Sequence, residues 1–280
     1  MTDYALRRDT DRLARIALDE DLPGPDVTTA ALGIAGRPAT AVFLAKQACT
    51  VSGLAAAARV FELVDPGVRF EALRDDGDAV PAGTELARVA GPAGSLLAAE
   101  RTALNFLQRL CGVATATRAL VDAVAGVRVT VLDTRKTTPG WRLLEKAAVR
   151  DGGGTNHRFT LSDGVLIKDN HVRICGGVAA AVGRARAALV PGTRIEVEAG
   201  SLDEVGEALA AGADAILLDN ADPATARAAV ALVAGRAVLE LSGGIVLGNA
   251  RAMAASGADC ISSGALTHSA PAVDISLEFL

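Results

Sequence analysis

The sequence predicts an α/β protein that ends in a (β/α) barrel with parallel strands. Short apolar runs stop at polar residues, as in 165–167 before Lys168 and 195–197 before Glu198. Alanine-rich amphipathic stretches lie between these runs and suit helices that cover a sheet. Late strand starts lie about 22 residues apart, which favours βα units over a β-sandwich. Residues from about 113 to 268 are therefore predicted to form a barrel, which need not contain all eight strands.

The same pattern predicts the elements of this region in turn. The predicted strands are 127–132, 165–167, 195–197, 215–218, 237–239 and 260–261, and the predicted helices include 141–150, 202–211 and 223–234. A short internal sequence repeat supports one repeated structural unit. Residues 210–214 are Ala-Ala-Gly-Ala-Asp, and residues 255–259 are Ala-Ser-Gly-Ala-Asp. Each of these segments precedes a predicted strand.

The N-terminal part follows a different pattern, which predicts a small α/β domain. The predicted elements are a helix at 4–19, a turn-rich stretch at 20–29, strands at 39–44, 68–73 and 84–89, and a helix from 95 to about 110. The domain boundary is expected near Gly112, which gives an N-terminal α/β sandwich at 1–112 and a catalytic barrel domain at 113–280. Residues 269–280 are expected to return to the N-terminal domain.

Composition limits the classes of function. The chain has 280 residues, half of them hydrophobic, a formal net charge of −5 and few aromatic residues, which argues against nucleic-acid binding. Its four cysteines show no paired metal-ligand spacing, as expected of a reduced cytoplasmic protein. The first residues lack the apolar core of a signal peptide, and no uninterrupted apolar span reaches membrane length.

Five basic residues fall in a short region that reads as strand ends and loops. They are Arg135, Lys136, His157, Arg158 and Lys168. In a parallel α/β protein, the loops at the carboxyl ends of the strands converge on one face, where ligands bind. The sequence therefore predicts a site for small anions.

Two glycine-containing strand ends predict a phosphate site. Ser242-Gly243-Gly244 and Ser263-Gly264 follow late strands, and a helix follows each, so that main-chain N–H groups can approach phosphate oxygens. A second feature is a pair of acidic residues, Glu198 and Asp219, which are predicted at the ends of adjacent strands. Glu198 and Asp219 can hold Mg²⁺ directly or through water, or bind ribose hydroxyls. Alternatively, Asp219 caps the next helix and Glu198 pairs with a barrel lysine.

Several longer motifs, in one order, carry a resemblance to a known family. They are Glu20-Asp-Leu with Asp26-Val-Thr-Thr29, Glu100-Arg-Thr-Ala-Leu-Asn105, Thr134-Arg-Lys-Thr-Thr-Pro-Gly140, Gly152-Gly-Gly154, His157-Arg158, Val165-Leu-Ile-Lys-Asp-Asn-His171, Ile195-Glu-Val-Glu198, Leu217-Leu-Asp-Asn220, Ser242-Gly-Gly-Ile245 and Gly264-Ala-Leu-Thr-His-Ser269. The chain closely resembles the quinolinate phosphoribosyltransferases, also called nicotinate-nucleotide pyrophosphorylases (carboxylating). The resemblance covers nearly its whole length.

The resemblance implies a reaction and an assembly. Quinolinate and 5-phosphoribosyl 1-diphosphate would react with Mg²⁺ present to give nicotinate mononucleotide, diphosphate and carbon dioxide, a step in NAD biosynthesis. The implied fold is an N-terminal α/β sandwich followed by an incomplete barrel of the type II phosphoribosyltransferase kind. The implied unit is a homodimer, in which each active site lies between one subunit's barrel and the neighbour's N-terminal domain.

The resemblance also implies roles for single residues. Arg135, His157 and Arg158 match quinolinate contacts, with Arg101 supplied by the partner subunit. Lys136 and Lys168 match positions near the diphosphate and the reacting centre, while Glu198 and Asp219 match the acids around the ribose and Mg²⁺. The 5-phosphate cradle is matched by Ser242, Gly243, Gly244, Ser263 and Gly264, and His268 is expected to help there.

Four residues depart from the expected pattern, and three other functions stay open. The departures are Trp141, Cys111, Leu241 and Ser263. One alternative is a phosphoribosyltransferase-like protein encoded with molybdenum transport, whose substrate need not be a dicarboxylate. Another is a class I aldolase-type barrel, in which Lys168 would form a Schiff base. The third is a metabolite sensor that binds without turnover.

Overall fold

The computed structural model describes residues 3–280, and the chain divides into two compact units. The first unit contains the chain up to Arg118, together with Thr137–Gly153 and Leu266–Leu280. The second contains Ala119–Lys136 and Gly154–Ala265. Each unit is therefore assembled from separated stretches of the chain.

The helices and strands follow one another in this order. They are α1 (Asp3–Asp21), α2 (Val27–Leu32), β1 (Pro38–Ala45), β2 (Cys49–Thr50), α3 (Leu54–Val64), β3 (Arg69–Ala72), β4 (Ala79–Val80), β5 (Glu85–Pro92), α4 (Ala93–Ala123), β6 (Thr130–Leu132), α5 (Arg142–Asp151), β7 (Val165–Ile167), α6 (Asp169–Cys175), α7 (Val178–Ala188), β8 (Ile195–Ala199), α8 (Leu202–Ala210), β9 (Ala215–Asp219), α9 (Pro223–Val233), β10 (Val238–Ser242), α10 (Leu247–Ala254), β11 (Cys260–Ser262), α11 (Ala265–His268) and β12 (Ile275–Phe279).

The first unit is built on a four-stranded antiparallel sheet in the order β12-β1-β5-β3. The last strand of the chain pairs with β1 through Ala41 opposite Phe279, so the C-terminal segment belongs to this unit. Phe43 of β1 meets Phe61 of α3 edge to face, with ring centroids 5.9 Å apart, and both rings are fully buried. Aromatic packing of this kind joins the helix to the sheet.

The second unit is built on a parallel sheet in the order β6-β11-β10-β9-β8-β7. Within residues 3–280 this sheet has six strands, fewer than the eight of a closed barrel. Helices α7 to α10 alternate with its later strands, as expected from the repeated βα pattern. The predicted fold class, an N-terminal sheet domain with an incomplete (β/α) barrel, is confirmed.

The apolar runs form the strands because their side chains fill the interior of this unit. Ile195, Ile216 and Leu241 are fully buried. The parallel register places Asp219 opposite Ser242 on the neighbouring strand, so their polar ends lie at the same edge of the sheet. The strand predicted at 165–167 is confirmed to the residue, whereas the first barrel strand is shorter than predicted and begins at Thr130.

The helix predicted to end near residue 110 is longer than expected. It continues through Gly112 to Ala123. Gly112 has a packing role, because a Cβ atom there would lie 2.1 Å from the carbonyl oxygen of Pro271. This glycine therefore allows a close approach between two segments of the first unit and does not interrupt the helix.

Two of the unusual residues have clear packing roles in the first unit. The Trp141 ring stacks on Phe106, with centroids 4.6 Å apart and planes 14° apart. The buried Cys111 thiol accepts a hydrogen bond from the Ser52 N–H at 3.3 Å. Both side chains thus stabilise the packing of α4 against its neighbours.

Among residues 3–280, none of the helices is long and apolar enough to cross a membrane.

Candidate active site

A buried aspartate fixes the loop that carries two of the predicted site residues. Asp133 follows β6 and is fully buried. One carboxylate oxygen accepts the His157 N–H at 2.8 Å, and the other accepts the Asn156 side-chain amide at 2.6 Å. The Thr155 N–H also donates to the Val131 carbonyl at 2.8 Å. The segment 155–158 is therefore held beside the carboxyl end of β6.

Two guanidinium groups share the electrostatic environment of this loop. Burial, and then the positive charge of Arg135, lower the pKa of Arg158. The Arg158 Nη1 donates to the Gly164 carbonyl at 2.8 Å, which fixes one end of its guanidinium. Since arginine keeps its charge at neutral pH, an anion beside the two groups would reduce the repulsion between them.

The imidazole of His157 turns towards the interior of the second unit. Its Nδ1 accepts the Arg158 N–H at 2.8 Å, while Nε2 lies 3.1 Å from Glu196 Oε2 and 3.5 Å from Glu240 Oε2. The two glutamates are buried on β8 and β10. Both ring nitrogens thus face protein groups, and the role of His157 as a quinolinate contact stays a prediction.

An ion pair joins the ends of β7 and β8. The Lys168 ammonium contacts the Glu198 carboxylate, and their side chains are 45% and 17% exposed. The Lys168 N–H donates to His171 Nδ1 at 2.9 Å, so His171 fixes the start of α6. The pairing of Glu198 with a barrel lysine, left open by the sequence, is therefore present. It leaves Lys168 half accessible and next to a carboxylate.

Asp219 does not cap the following helix. That position is taken by Asp222, whose side chain accepts the N–H groups of Ala224 and Thr225 at 2.7 and 2.8 Å. Asp219 instead accepts a hydrogen bond from the Asn220 amide at 2.6 Å. Glu198 and Asp219 line the same cavity of about 380 Å³. Its other lining residues are Asp169, Val172, Arg173, Val178, Gly200 and Glu204.

The turn after β10 has the geometry of an anion-binding loop. Gly243 and Gly244 have φ values of 82° and 64°, in the left-handed region that glycine adopts without strain. A Cβ atom on Gly243 would lie 2.3 Å from Asn220 Oδ1, so only glycine fits. Within the described part of the chain, neither glycine N–H donates a hydrogen bond to protein. Consecutive N–H groups of this kind bind phosphate.

The serines of the two glycine-containing loops tie these loops together. The buried Ser263 hydroxyl donates to the Ile245 carbonyl at 2.7 Å, and the Ser262 hydroxyl donates to Ser242 at 3.0 Å. Ser263 therefore has a structural role, which accounts for a polar residue at this position. Its predicted role in phosphate binding stays a prediction, as does that of Gly264.

Four predicted site residues are exposed, Gly244 among them, and two of the four belong to the first unit. Arg101 lies on α4 and His268 at the end of α11, where its Nδ1 is 2.6 Å from the Ser269 hydroxyl. Lys136 belongs to the second unit, and its N–H donates to the Thr134 hydroxyl at 3.0 Å. The second unit thus brings together the predicted residues other than Arg101 and His268.

Three residues around this site were not predicted from the sequence. They are Asp133, Glu196 and Glu240. A signal existed for the glutamates, because a charged residue inside an apolar strand run must either find a partner or stay protonated. Glu196 also lies two residues before Glu198, and alternate residues of a strand face the same side.

Comparisons with known proteins identify the family of this chain. The family model described as quinolinate phosphoribosyl transferase, N-terminal domain, matches residues 26–111, and the C-terminal domain model matches residues 113–278. The chain belongs to the quinolinate phosphoribosyl transferase family. The resemblance inferred from the motifs is therefore confirmed.

Members of the quinolinate phosphoribosyl transferase family resemble this chain along its length. A Synechocystis protein named probable nicotinate-nucleotide pyrophosphorylase (carboxylating) is 43% identical, over 94% of this chain and 90% of its own. The nicotinate-nucleotide pyrophosphorylase of Mycobacterium leprae is 42% identical over 99% and 98% of the two chains. The crystal structure of NadC from Streptococcus pyogenes, 41% identical, superposes with a TM-score of 0.93 over 100% and 99%.

The pKa of Glu240 predicts a pH-dependent stability. Burial, and then the charge of Glu196, raise this pKa from 4.5 to about 7. Between these values the folded chain keeps a proton that the unfolded chain has lost, so the free energy of unfolding falls as the pH rises. Glu240→Gln should remove this fall, which amounts to about 3 kcal/mol.

The measurement is urea denaturation of the wild type and the variant between pH 4.5 and 8. The difference between the two stability curves isolates Glu240 from other titrating groups. Glu207→Gln, at an exposed position on α8, serves as the control and should run parallel to the wild type. Parallel curves for Glu240→Gln would contradict the raised pKa.

Proposed function

We propose that this chain transfers the phosphoribosyl group of 5-phosphoribosyl 1-diphosphate to quinolinate. The products are nicotinate mononucleotide, diphosphate and carbon dioxide. The observation that supports this proposal is that two guanidinium groups, those of Arg135 and Arg158, lie close enough in the second unit for the charge of Arg135 to lower the pKa of Arg158. A dicarboxylate matches two such groups, because guanidinium groups bind carboxylates through two parallel hydrogen bonds.

The turn after β10 is proposed to bind the 5-phosphate of the donor. The N–H groups of Gly243 and Gly244 would donate to its oxygens, and α10 begins a few residues later. The hydrogen bonds that Ser262 and Ser263 donate across the two loops fix the conformation of this turn. Preorganised donors cost no rearrangement when the anion binds.

Glu198 and Asp219 fit a role with Mg²⁺ and the ribose. They offer carboxylate oxygens to one cavity, and Mg²⁺ is commonly held by one or two carboxylates together with substrate phosphates. When bound, the ion would neutralise charge on the departing diphosphate. The same carboxylates would stabilise the positive charge that develops at C1 of the ribose as diphosphate leaves.

The basic residues are proposed to bind and orient the reactants. Lys136 and Lys168 would contact the diphosphate while the pyridine nitrogen attacks C1. The ring then becomes a pyridinium, which accepts the electron pair left when the adjacent carboxylate departs as carbon dioxide, and a proton replaces it. Lys168 is held by its ion pair with Glu198 beside this site.

A direct assay tests this function. The chain is incubated with the donor, Mg²⁺ and either quinolinate or nicotinate, and product mass and carbon dioxide are measured. The expected result is nicotinate mononucleotide from quinolinate, with one carbon dioxide released per product. Turnover of nicotinate without quinolinate activity would reject the proposal.

We also propose a cytoplasmic location, since the four cysteines are free of disulfides.

Loss of a charged contact should reduce turnover strongly. Arg135→Ala or Lys168→Ala removes a preorganised charge worth about 3 kcal/mol at the transition state, so kcat/KM for quinolinate should fall at least about 100-fold. Steady-state kinetics on folded variants check this. Arg184→Ala, at an exposed position on α7, is the control and should keep wild-type rates. Near-normal rates for both site variants would refute the assignment.

The turn after β10 gives a second kinetic prediction. In Gly243→Ala the new Cβ would overlap Asn220 Oδ1 and distort the turn, so the KM for the phosphoribosyl donor should rise about tenfold or more, equivalent to about 1.4 kcal/mol. Gly248→Ala is the matched control, because its Cβ would meet nothing within 4 Å. An unchanged donor KM in Gly243→Ala would remove this turn from the phosphate site.

We propose that the active unit is a homodimer in which Arg101 enters the site of the neighbouring subunit. Arg101 is exposed on α4 and belongs to the first unit, and the family resemblance gives it a role across the interface. In a two-fold dimer such a residue would contact the substrate bound by the other chain.

Mixed dimers distinguish this arrangement. Co-expression of Arg101→Ala and Lys168→Ala chains should recover about a quarter of the wild-type activity, because half of the randomly mixed dimers have one intact site. Each variant expressed alone provides the baseline. If Arg101 serves its own chain, the mixture will be no more active than the separate variants.

A further inference from the structure

Two buried glutamates lie beneath the proposed dicarboxylate site and have no part in the proposed chemistry. Glu196 on β8 and Glu240 on β10 both approach Nε2 of His157, at 3.1 and 3.5 Å. The three ligating atoms lie within 4.8 Å of one another. His157 is the residue whose ring also contacts the main chain of Arg158. The trio therefore connects the interior of the second unit to the anion-binding loop.

The hydrogen bonds define the protonation of the ring. The Arg158 N–H donates to Nδ1, so this nitrogen carries a lone pair and the single ring proton lies on Nε2. An imidazolium would place an N–H against that N–H. The contact at Nδ1 corresponds to a ring whose proton lies on Nε2 and is directed to the nearer carboxylate, that of Glu196.

Glu240 has fewer donors than a full negative charge needs, because the Ser262 hydroxyl is its hydrogen-bond donor and the His157 Nε2 lies at 3.5 Å. It is 2% exposed, and its Oε1 has no hydrogen-bond partner among residues 3–280. Two adjacent buried carboxylates cannot both be ionised without a large cost, so one of them keeps a proton. Burial and the Glu196 charge raise the pKa of Glu240 to about 7. Arg194, the Ser262 hydroxyl and any positive charge on His157 oppose this, and Cys260 is the remaining titratable neighbour.

We propose that Glu196 and Glu240 are positioning residues that hold the His157 ring and thereby set the place of Arg158 in the dicarboxylate site. This inference rests on the proposed function, because it takes Arg158 as a quinolinate contact. The two acids orient the ring through their contacts with Nε2. The ring in turn fixes the Arg158 main chain, because Nδ1 accepts the Arg158 N–H. The positive charge of the site then comes from Arg135, Arg158 and Lys168, with His157 contributing shape.

The first test separates the two substrates kinetically. Glu240→Met removes the polar contact, so the KM for quinolinate should rise about tenfold while the KM for the phosphoribosyl donor stays within about twofold. Glu240→Gln imitates the neutral acid and should restore the quinolinate KM at pH 7. In the wild type this KM should rise as the pH passes about 7, and in Glu240→Gln it should not. Equal changes in both KM values, or no rescue by glutamine, would overturn the proposal.

The second test does not depend on turnover. The chain has three histidines, so ¹⁵N spectra of histidine-labelled wild-type protein can be assigned with His157→Gln. The expected His157 signal is a neutral ring protonated at Nε2 from pH 6 to 8, whereas an imidazolium would overturn the proposal. If the expected signal appears and quinolinate is not a substrate, the proposed function fails while the trio stands. A stoichiometric transition metal in the wild type, lost in Glu240→Met, would make the trio a metal site and also overturn it.

Discussion

The buried carboxylate of Asp133 is the interaction on which the anion site depends. It accepts the His157 N–H and the Asn156 amide, and it lies two residues before Arg135 in the chain. Because the group is fully buried, each N–H donor it receives would otherwise lack a partner in a region with little water. One short side chain therefore fixes the start of both cation-bearing segments. The main chain that carries Arg158 is thus held at the end of a strand.

Depth along a strand decides what each acid of the barrel does. Glu196 and Glu198 face the same side of β8, two residues apart. Glu198 lies near the carboxyl end, is partly exposed and meets the Lys168 ammonium. Glu196 lies one pleat deeper and meets a histidine ring. The same side-chain chemistry therefore serves a solvated ion pair at one level and a buried hydrogen-bonded trio at the next, because burial makes a free carboxylate costly only at the deeper level.

Much of this arrangement could be predicted from the sequence, and the exceptions have physical reasons. Strand 165–167 and the ends of β8 and β9 follow from apolar runs that stop at polar residues, so Lys168, Glu198 and Asp219 were placed correctly at strand ends. The predicted end of α4 near residue 110 was wrong, because the helix continues through Gly112, which packs closely against Pro271. The partners of His157 could not be predicted, since they come from strands far apart in the chain and depend on register.

The electrostatics of the second unit explain why one acid beneath the site should be neutral. Two ionised glutamates beside His157 would offset the positive charge that Arg135 and Arg158 present to a dianion, and Glu196 already acts to raise the pKa of Arg158. A proton on Glu240 removes one of these negative charges without removing the polar contact to the His157 ring. A carboxylic acid also costs far less to bury than a carboxylate. Position and charge thus come from different groups: the buried trio of His157, Glu196 and Glu240 fixes the geometry of the loop, and the arginines supply the positive charge that attracts the anion.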